Sequence, residues 1–405
     1  MLTPRYTHTR IAAYIGYTVQ AIINNFLPIL FIALQNVYRI SYEQLGRLIV
    51  VNFLTQLFTD ILTPKIVAVT GYKKAAVLCQ GLAAAGLVLL VFLPRLLPSP
   101  YLGIVISIVV YAFASGLIEV ILSPLIEALP SSNRRGAMSI LHSFYCWGQA
   151  FTAVGTTLLI LLFGYRNWFY VPLIWAIVPL INLFNFWRAP VIEPPREQQS
   201  GNAKKLLANP LFRTFMVIML CAGASEIAMA QWASLFAQQA LGVSKTVGDL
   251  AGPCAFALFM GTGRLLYARF AARLSFRRVL LLLSGVCSLC YLTAAFTASP
   301  VLSLAACALC GFTVSVFWPG TYSAGAVEFP GSGTMMYSLF AMCGDLGCCS
   351  GPWLVGLIAD QAGLKIGLAA SAVFPVILFV AVLFFYHSRA ELCQSGCKTP
   401  QNSIQ

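Results

Sequence analysis

Charge is what this sequence lacks. Only 9% of its 405 residues are Asp, Glu, Lys or Arg, where soluble domains carry roughly 25%. That leaves too little polar side-chain surface to coat a water-facing globule, which excludes a soluble protein of this length. Acids are the scarcest, 12 against 25 basic residues, for a formal net charge of +13. Histidine is scarce as well. The three at 8, 142 and 387 are scattered, so neither a metal constellation nor a hydrolytic triad takes shape. No Gly-x-x-x-x-Gly-Lys-[Ser/Thr] phosphate loop occurs, and Gly261-x-Gly263 alone does not make a nucleotide site, so ATP-driven pumping is not indicated. A repeated filter-like segment of the kind found in ion pores is missing too. These absences point away from enzymes, cofactors and metals.

What is present is apolar: 59% of the chain, with a mean hydropathy of +0.83. The net positive charge does not imply nucleic acid, because Lys and Arg fall in short clusters between apolar runs, where membrane proteins keep them. The 13 Cys residues lie almost entirely inside those runs, Cys348 and Cys349 among them. They read as small hydrophobes and not as a disulfide framework. Arg5 and Arg10 precede a first apolar stretch interrupted by Asn24, Asn25 and Pro28. Its length and the lack of a small-x-small cleavage site indicate a retained helix.

A crossing needs about 20 apolar residues. Reading between breakers and charges places spans near 11–37, 44–69, 75–94, 101–128, 137–163, 167–189, 211–240, 247–270, 278–297, 300–327, 333–361 and 364–388. The expectation is an all-α integral membrane protein of twelve helices: six over 1–189, a hydrophilic linker at 190–210, and six over 211–405. An even count puts both termini on one side. That side holds 19 of the 25 basic residues, and the other holds Arg39, Arg47, Arg95, Arg166, Lys245 and Lys365. By the positive-inside tendency the termini and the linker face the cytoplasm. A place in the plasma membrane and a monomeric state are separate expectations.

The halves repeat one another. Gly116 precedes Pro124 by eight residues and Gly148 follows it by 24; Gly311 precedes Pro319 by eight and Gly344 follows it by 25. Leu45 precedes Lys73 by 28, and Leu250 precedes Arg278 by 28. Helices two to five therefore match eight to eleven. Repeated halves of this kind enclose a solute site near mid-membrane and expose it to each side in turn.

Two six-helix halves, a charged linker and basic loops after helices two and eight resemble the major facilitator superfamily. The segment from Gly263 and Arg264 through Arg273 to Arg277 and Arg278 is similar to that superfamily's glycine-and-basic gating signature. Its counterpart keeps Lys65, Gly71, Tyr72, Lys73 and Lys74, with Ala68 where the family usually has an acid. The resemblance implies that these residues form a cytoplasmic gate. Within the superfamily, Ile118-Glu119-Val120-Ile121-Leu122-Ser123-Pro124 resembles the Leu-Glu-x-x-x-Asn-Pro stretch of the fucose–proton symporters, with Ser123 in place of Asn. Asn24 to Pro28 resembles their Asp-x-x-x-Pro, with Asn24 in place of the acid. This implies a sugar-like solute carried with protons.

Carboxylates at membrane depth are costly and tend to be paired or functional. Asp60, Glu119, Glu226 and Asp345 fall well inside the expected spans, where no Lys or Arg is centrally placed to answer them. An unanswered carboxyl out of water is cheapest in its neutral form, so a site that wets and dries can take and release a proton. Glu119, Asp345 and Glu226 are the proton-coupling candidates. Ser115, Glu119 and Ser123 recur every four residues and share one helix face. Solute-binding candidates are Gln20 and Asn24 on one face of helix one, Tyr145 and Gln149 on helix five, Gln231 and Trp232 on helix seven, and Trp318 and Tyr322 on helix ten. They would supply hydrogen-bonding amides and aromatic walls. His142 reads as structural. The leading expectation is a secondary transporter importing a small polar solute with protons. Its rivals are a proton-driven exporter of amphipathic compounds, an uncoupled carrier, and a membrane sensor that binds without translocating.

Overall fold

In hydrocarbon every backbone N–H and C=O must be satisfied within its own segment, so apolar runs between Pro and Gly breakers become helices. The computed structural model describes residues 6–40, 42–130, 133–191, 203–244, 247–248, 250–271 and 273–383. Most of the expected linker and the whole segment after Leu383, together with Arg5 and Lys245, lie outside the described residues.

The first half comprises α1 (Thr7–Ile29), α2 (Phe31–Tyr38), α3 (Tyr42–Thr70), α4 (Tyr72–Leu96), α5 (Pro100–Ala128), α6 (Arg134–Phe163) and α7 (Tyr170–Arg188). A short α8 (Ala203–Ala208) leads into α9 (Pro210–Leu241), then α10 (Ala255–Phe270), entered by a π turn at Leu250–Cys254. There follow α11 (Phe276–Phe296), α12 (Pro300–Val314), α13 (Phe317–Glu328), α14 (Gly333–Ala362) and α15 (Leu364–Ala370), with helix again over 373–383. Ends are set locally. Ser99 and Ser299 each cap the backbone N–H three residues on, with Pro in the first turn. Gly71, at φ 77°, makes the left-handed step that lets α3 turn into α4.

Nine helical stretches among the described residues are long and apolar enough to cross a membrane. They fall at the third to seventh and ninth to twelfth expected spans. Helices α1, α3 and α10 stand at the other three positions but are more polar or shorter. These three carry Gln20, Gln56, Asp60 and Arg264, each no more than 3% exposed. Polar groups that lower a helix's hydropathy are tolerated where they face one another inside a bundle. Outward faces are apolar, with Leu161, Leu289 and Val301 62–78% exposed. Such a surface suits lipid and not water.

Packing repeats between the halves. Helix α1 packs on α6 as α9 does on α14, α4 on α5 as α11 on α12, and α3 on α5 as α10 on α12. The repeated glycines lie in these seams. A methyl on Gly116 would come to 2.8 Å from Thr59 of α3, and one on Gly311 to 2.2 Å from the Phe256 carbonyl of α10. Gly347 and Gly351 press α14 onto Leu220 and Ala224 of α9, a close-packing seam of small residues. The halves meet mainly through α6 with α10 and α3 with α14, contacts that the duplication maps onto each other. One pairing was not anticipated. Cys287-x-x-Cys290 and Cys307-x-x-Cys310 sit on facing helices, with the Cys287 and Cys310 sulfurs 3.7 Å apart.

Candidate functional site

A chamber between the halves is lined by residues from both, among them Tyr17, Gln20, Asn24, Gln56, Glu119, His142, Tyr145, Glu226, Arg264, Trp318 and Asp345. Seven of the sequence candidates, Gln20, Asn24, Glu119, Tyr145, Glu226, Trp318 and Asp345, are therefore gathered in one place. Gln149, Gln231 and Trp232 are not among the lining residues. Gln231 is exposed, and the Trp232 indole N–H donates to the Pro352 carbonyl at 3.1 Å in the α9–α14 seam. Tyr322 lies fully buried behind the chamber, its ring 5.6 Å from that of His142.

On the first-half wall, α1 turns Gln20 and Asn24 inward one turn apart. The Gln20 amide donates to Glu119 Oε2 at 2.9 Å. Asn24 exchanges amide bonds with Gln56 at 3.3 Å, while Ser115 donates to Gln56 Oε1 at 2.7 Å. Tyr17 bonds Ser123 at 2.9 Å and lies 3.2 Å from His142 Nε2. Several buried atoms facing this space have no hydrogen-bond partner among the described residues: Gln20 Oε1, Glu119 Oε1, Trp318 Nε1 and Asp345 Oδ2. A buried polar atom left unpaired costs about 1–3 kcal/mol, so donors and acceptors arriving with a solute would be favoured here.

The second-half wall is organised by Arg264, and here two sequence expectations are corrected. Arg264 is neither in a loop nor among the solvated basic residues. With Gly263 it lies inside α10 and is 2% exposed. Glu226 is therefore not without a counter-charge, since Arg264 Nη2 stands 3.3 Å from Glu226 Oε2. The remaining guanidinium donors go to the Ser315 carbonyl at 3.2 Å and the His142 carbonyl at 2.6 Å. The Ser315 carbonyl is free to accept because Pro319, four residues on, has no N–H to offer it. Pro319 of the Gly-x₇-Pro repeat thus leaves free the carbonyl that receives the arginine at the break between α12 and α13, whereas α5 runs unbroken through Pro124 of the first copy.

The other residues expected at a cytoplasmic gate lie at the ends of the helices. Lys65 and Lys74 are exposed and Lys73 half-buried beside Gly71, while Arg273, Arg277 and Arg278 flank the α10–α11 turn. Hydrogen bonds joining first-half to second-half helices cluster towards this end. Asn133 donates to the Ala268 carbonyl at 2.9 Å, Ser139 to the Arg264 carbonyl at 2.6 Å, and Ser338 to the Asp60 carbonyl; Tyr72 and Thr334 share a 2.6 Å hydroxyl contact. Neutral side-chain hydrogen bonds thus join the halves at the end where these basic residues lie. Tyr17 and Gln56 were missed as chamber residues, though the pattern held a signal. Asn52, Gln56 and Asp60 recur every four residues and share one face of α3, as Tyr17, Gln20 and Asn24 do on α1.

The model of the Major Facilitator Superfamily matches residues 11–352. The chain belongs to the Major Facilitator Superfamily. It is a multi-pass membrane transporter and not an enzyme. As a superfamily member it is similar to the membrane protein MosC of Rhizobium meliloti, 25% identical over 358 residues, which cover 88% of this chain and 85% of that one. Its fold is similar to that of the Escherichia coli fucose:proton symporter FucP, with a TM-score of 0.78 at 16% identity over 94% of this chain and 99% of that one. The proton:xylose symporter XylE is similar too, with a TM-score of 0.75 at 13% identity over 95% of each chain. At these identities the two symporters share the major facilitator fold with this chain, as the duplicated sequence anticipated.

Proposed function

We propose that this transporter moves a small polyhydroxylated solute, a sugar or a close relative, by alternating access coupled to protons. One observation carries the reading. Glu119 sits in the chamber with an amide and not a cation as its partner, and one of its oxygens is unbonded. Sugar hydroxyls both donate and accept, as unbonded Gln20 Oε1, Glu119 Oε1 and Trp318 Nε1 require between them. The Trp318 ring supplies an apolar wall beside them. A carboxyl whose hydrogen-bonding neighbours, the Gln20 amide and the Tyr322 hydroxyl, are both neutral can hold or lose a proton without stranding a buried positive charge, which is what coupling needs. The named substrates of the two fold relatives, fucose and xylose, support the solute class.

In this reading the six-helix halves over 1–189 and 211–405 rock about the chamber, with 190–210 joining them on the cytoplasmic side of the plasma membrane. The hydrogen bonds near Asn133, Ser139, Tyr72 and Ser338 hold the cytoplasmic end closed. The test uses purified protein in vesicles. A panel of hexoses, pentoses and polyols is screened by thermal shift, and the stabilising member is then offered outside with an inward acid gradient. Uphill uptake is expected in wild type and lost in Glu119→Gln, with exchange at equal concentrations spared. Full uphill uptake by the variant would refute Glu119 as the coupling residue.

A further inference from the structure

The charges around the chamber do not balance. Its lining carries three carboxyls, Glu119, Glu226 and Asp345, and one guanidinium, Arg264. Arg264 is engaged by Glu226 at 3.3 Å and by the Ser315 and His142 carbonyls at 3.2 and 2.6 Å. Glu119 has the Gln20 amide. Asp345 is 3% exposed, and its Oδ2 bonds to nothing among the described residues. The unbonded polar atoms of the lining are lopsided in the same direction. Three acceptors, Gln20 Oε1, Glu119 Oε1 and Asp345 Oδ2, stand against one donor, Trp318 Nε1.

Asp345 also has an aromatic neighbour. The residue before it, Gly344, lies so close to the Trp318 ring that a methyl there would stand 2.1 Å from it. The bare glycine lets the indole pack on α14 next to the acid, and Trp318 and Asp345 both line the chamber. Its duplicate, Gly148, makes a different contact, since a methyl there would meet Ala21 and Thr18 of α1. In the second half the repeated glycine therefore seats a chamber ring instead of a helix. A carboxylate with an indole for a neighbour is suited to an ammonium group. The carboxylate answers its charge, and an aromatic ring attracts a cation that comes within about 6 Å of its centre. An ammonium brings three donors and no acceptor, the complement of an acceptor-rich wall.

We propose that the carried solute bears an ammonium group anchored by Asp345, which makes the substrate class an amino sugar or a related amine-bearing polyol. This deepens the function proposed above and rests on it for the hydroxyls and for the proton. Two carboxyls of the lining lack a cation. A proton answers Glu119 and the solute's ammonium answers Asp345, so the loaded chamber carries no net charge. A neutral sugar would leave Asp345 an unanswered anion in a dry place, or would call for a second proton. Hydroxyls on the same solute supply donors for Gln20 Oε1 and Glu119 Oε1 and an acceptor for Trp318 Nε1.

The test uses the full-length protein in detergent at about pH 6.5, where such amines carry a proton, and reads affinity from ligand-dependent melting. The probes are twins that differ at one group: glucosamine against glucose, and galactosamine against galactose, with the uncharged N-acetyl forms as a third member. The aminated sugars should bind on the order of tenfold more tightly than their neutral twins, and N-acetylation should abolish the advantage. In Asp345→Asn that ratio should fall to about one, whereas in Glu119→Gln it should persist. If Asp345→Asn does not purify, Asp345→Ser removes the same charge and should give the same ratio. Amines that bind no better than their twins in wild type, or a ratio that survives loss of the Asp345 charge, would overturn the anchor. Neutral sugars that bind with no gain from the amine would sink this inference and leave the sugar reading standing. Methylamine binding as tightly as the amino sugars would sink the polyhydroxylated reading and leave the anchor standing. No binding by any probe would overturn both.

Discussion

Glu119 and Glu226 stand one in each half, and both are 6% exposed, yet they are held by opposite means. Glu119 meets the amide of Gln20, and Glu226 meets the guanidinium of Arg264. Equal burial with unequal partners gives them different freedom. A proton arriving on Glu226 would leave Arg264 charged and unanswered in a dry setting. A proton arriving on Glu119 leaves nothing stranded. The first half of the chamber is thus able to change its charge, and the second half is fixed. Arg264 also reaches across to the His142 carbonyl, so the fixed wall is tied to the closed end.

Six substitutions, in four comparisons, would break or sharpen that contrast. The largest effect is expected for Arg264→Met, which strands Glu226 and frees two buried carbonyls. Removing one partner of a buried pair costs about 3–5 kcal/mol. The variant should show the steepest fall in melting temperature in detergent, and a melt near wild type would remove the ion pair from its structural role. Next, Glu226→Gln, which removes the charge answering Arg264 but keeps an oxygen to accept from it, should cost about 2 kcal/mol, while Glu119→Gln, which strands no charge, costs under about 1 kcal/mol. Side-by-side chemical denaturation reads the difference, and equal losses would erase the distinction between the walls.

A smaller effect separates the two repeated helix seams. In Gly347→Ala the new methyl would stand 2.0 Å from the Leu220 backbone carbonyl, whereas in Gly148→Ala it would meet the Ala21 methyl at 2.8 Å. Overpacking costs about 1–3 kcal/mol, with the backbone clash at the upper end and the side-chain clash at the lower. Melting temperatures that rank the other way would show that the seams are not built as described. Smallest is Tyr72→Phe, which removes one hydroxyl contact to Thr334, about 1 kcal/mol. It should raise labelling of nearby polar sites by water-soluble reagents without lowering yield.

Much of the fold was legible in the sequence because its signals are local. Hydropathy runs placed helices at every expected span, and the Gly-x₇-Pro repeat anticipated matching seams. The chamber was partly legible. Gln20, Asn24 and Glu119 declared themselves as polar positions in otherwise apolar spans, whereas Gln231 and Trp232 did so equally and face elsewhere. Arg264 misled because its neighbours Arg269, Arg273 and Arg277 look like one basic loop. Nothing along the chain marks where α10 stops being buried.

The sequence by itself determined that this chain crosses a membrane repeatedly, that its halves are copies, and that a few costly acids lie at depth. Composition and spacing carry those facts, and in hydrocarbon the backbone has little choice but to be helical. Only the tertiary structure decided that Glu226 has an arginine and Glu119 an amide. Those partners are separated by 38 and 99 positions in the chain. What brings them together is the rotation and depth of each helix against its neighbours, set by glycine seams and proline breaks acting jointly.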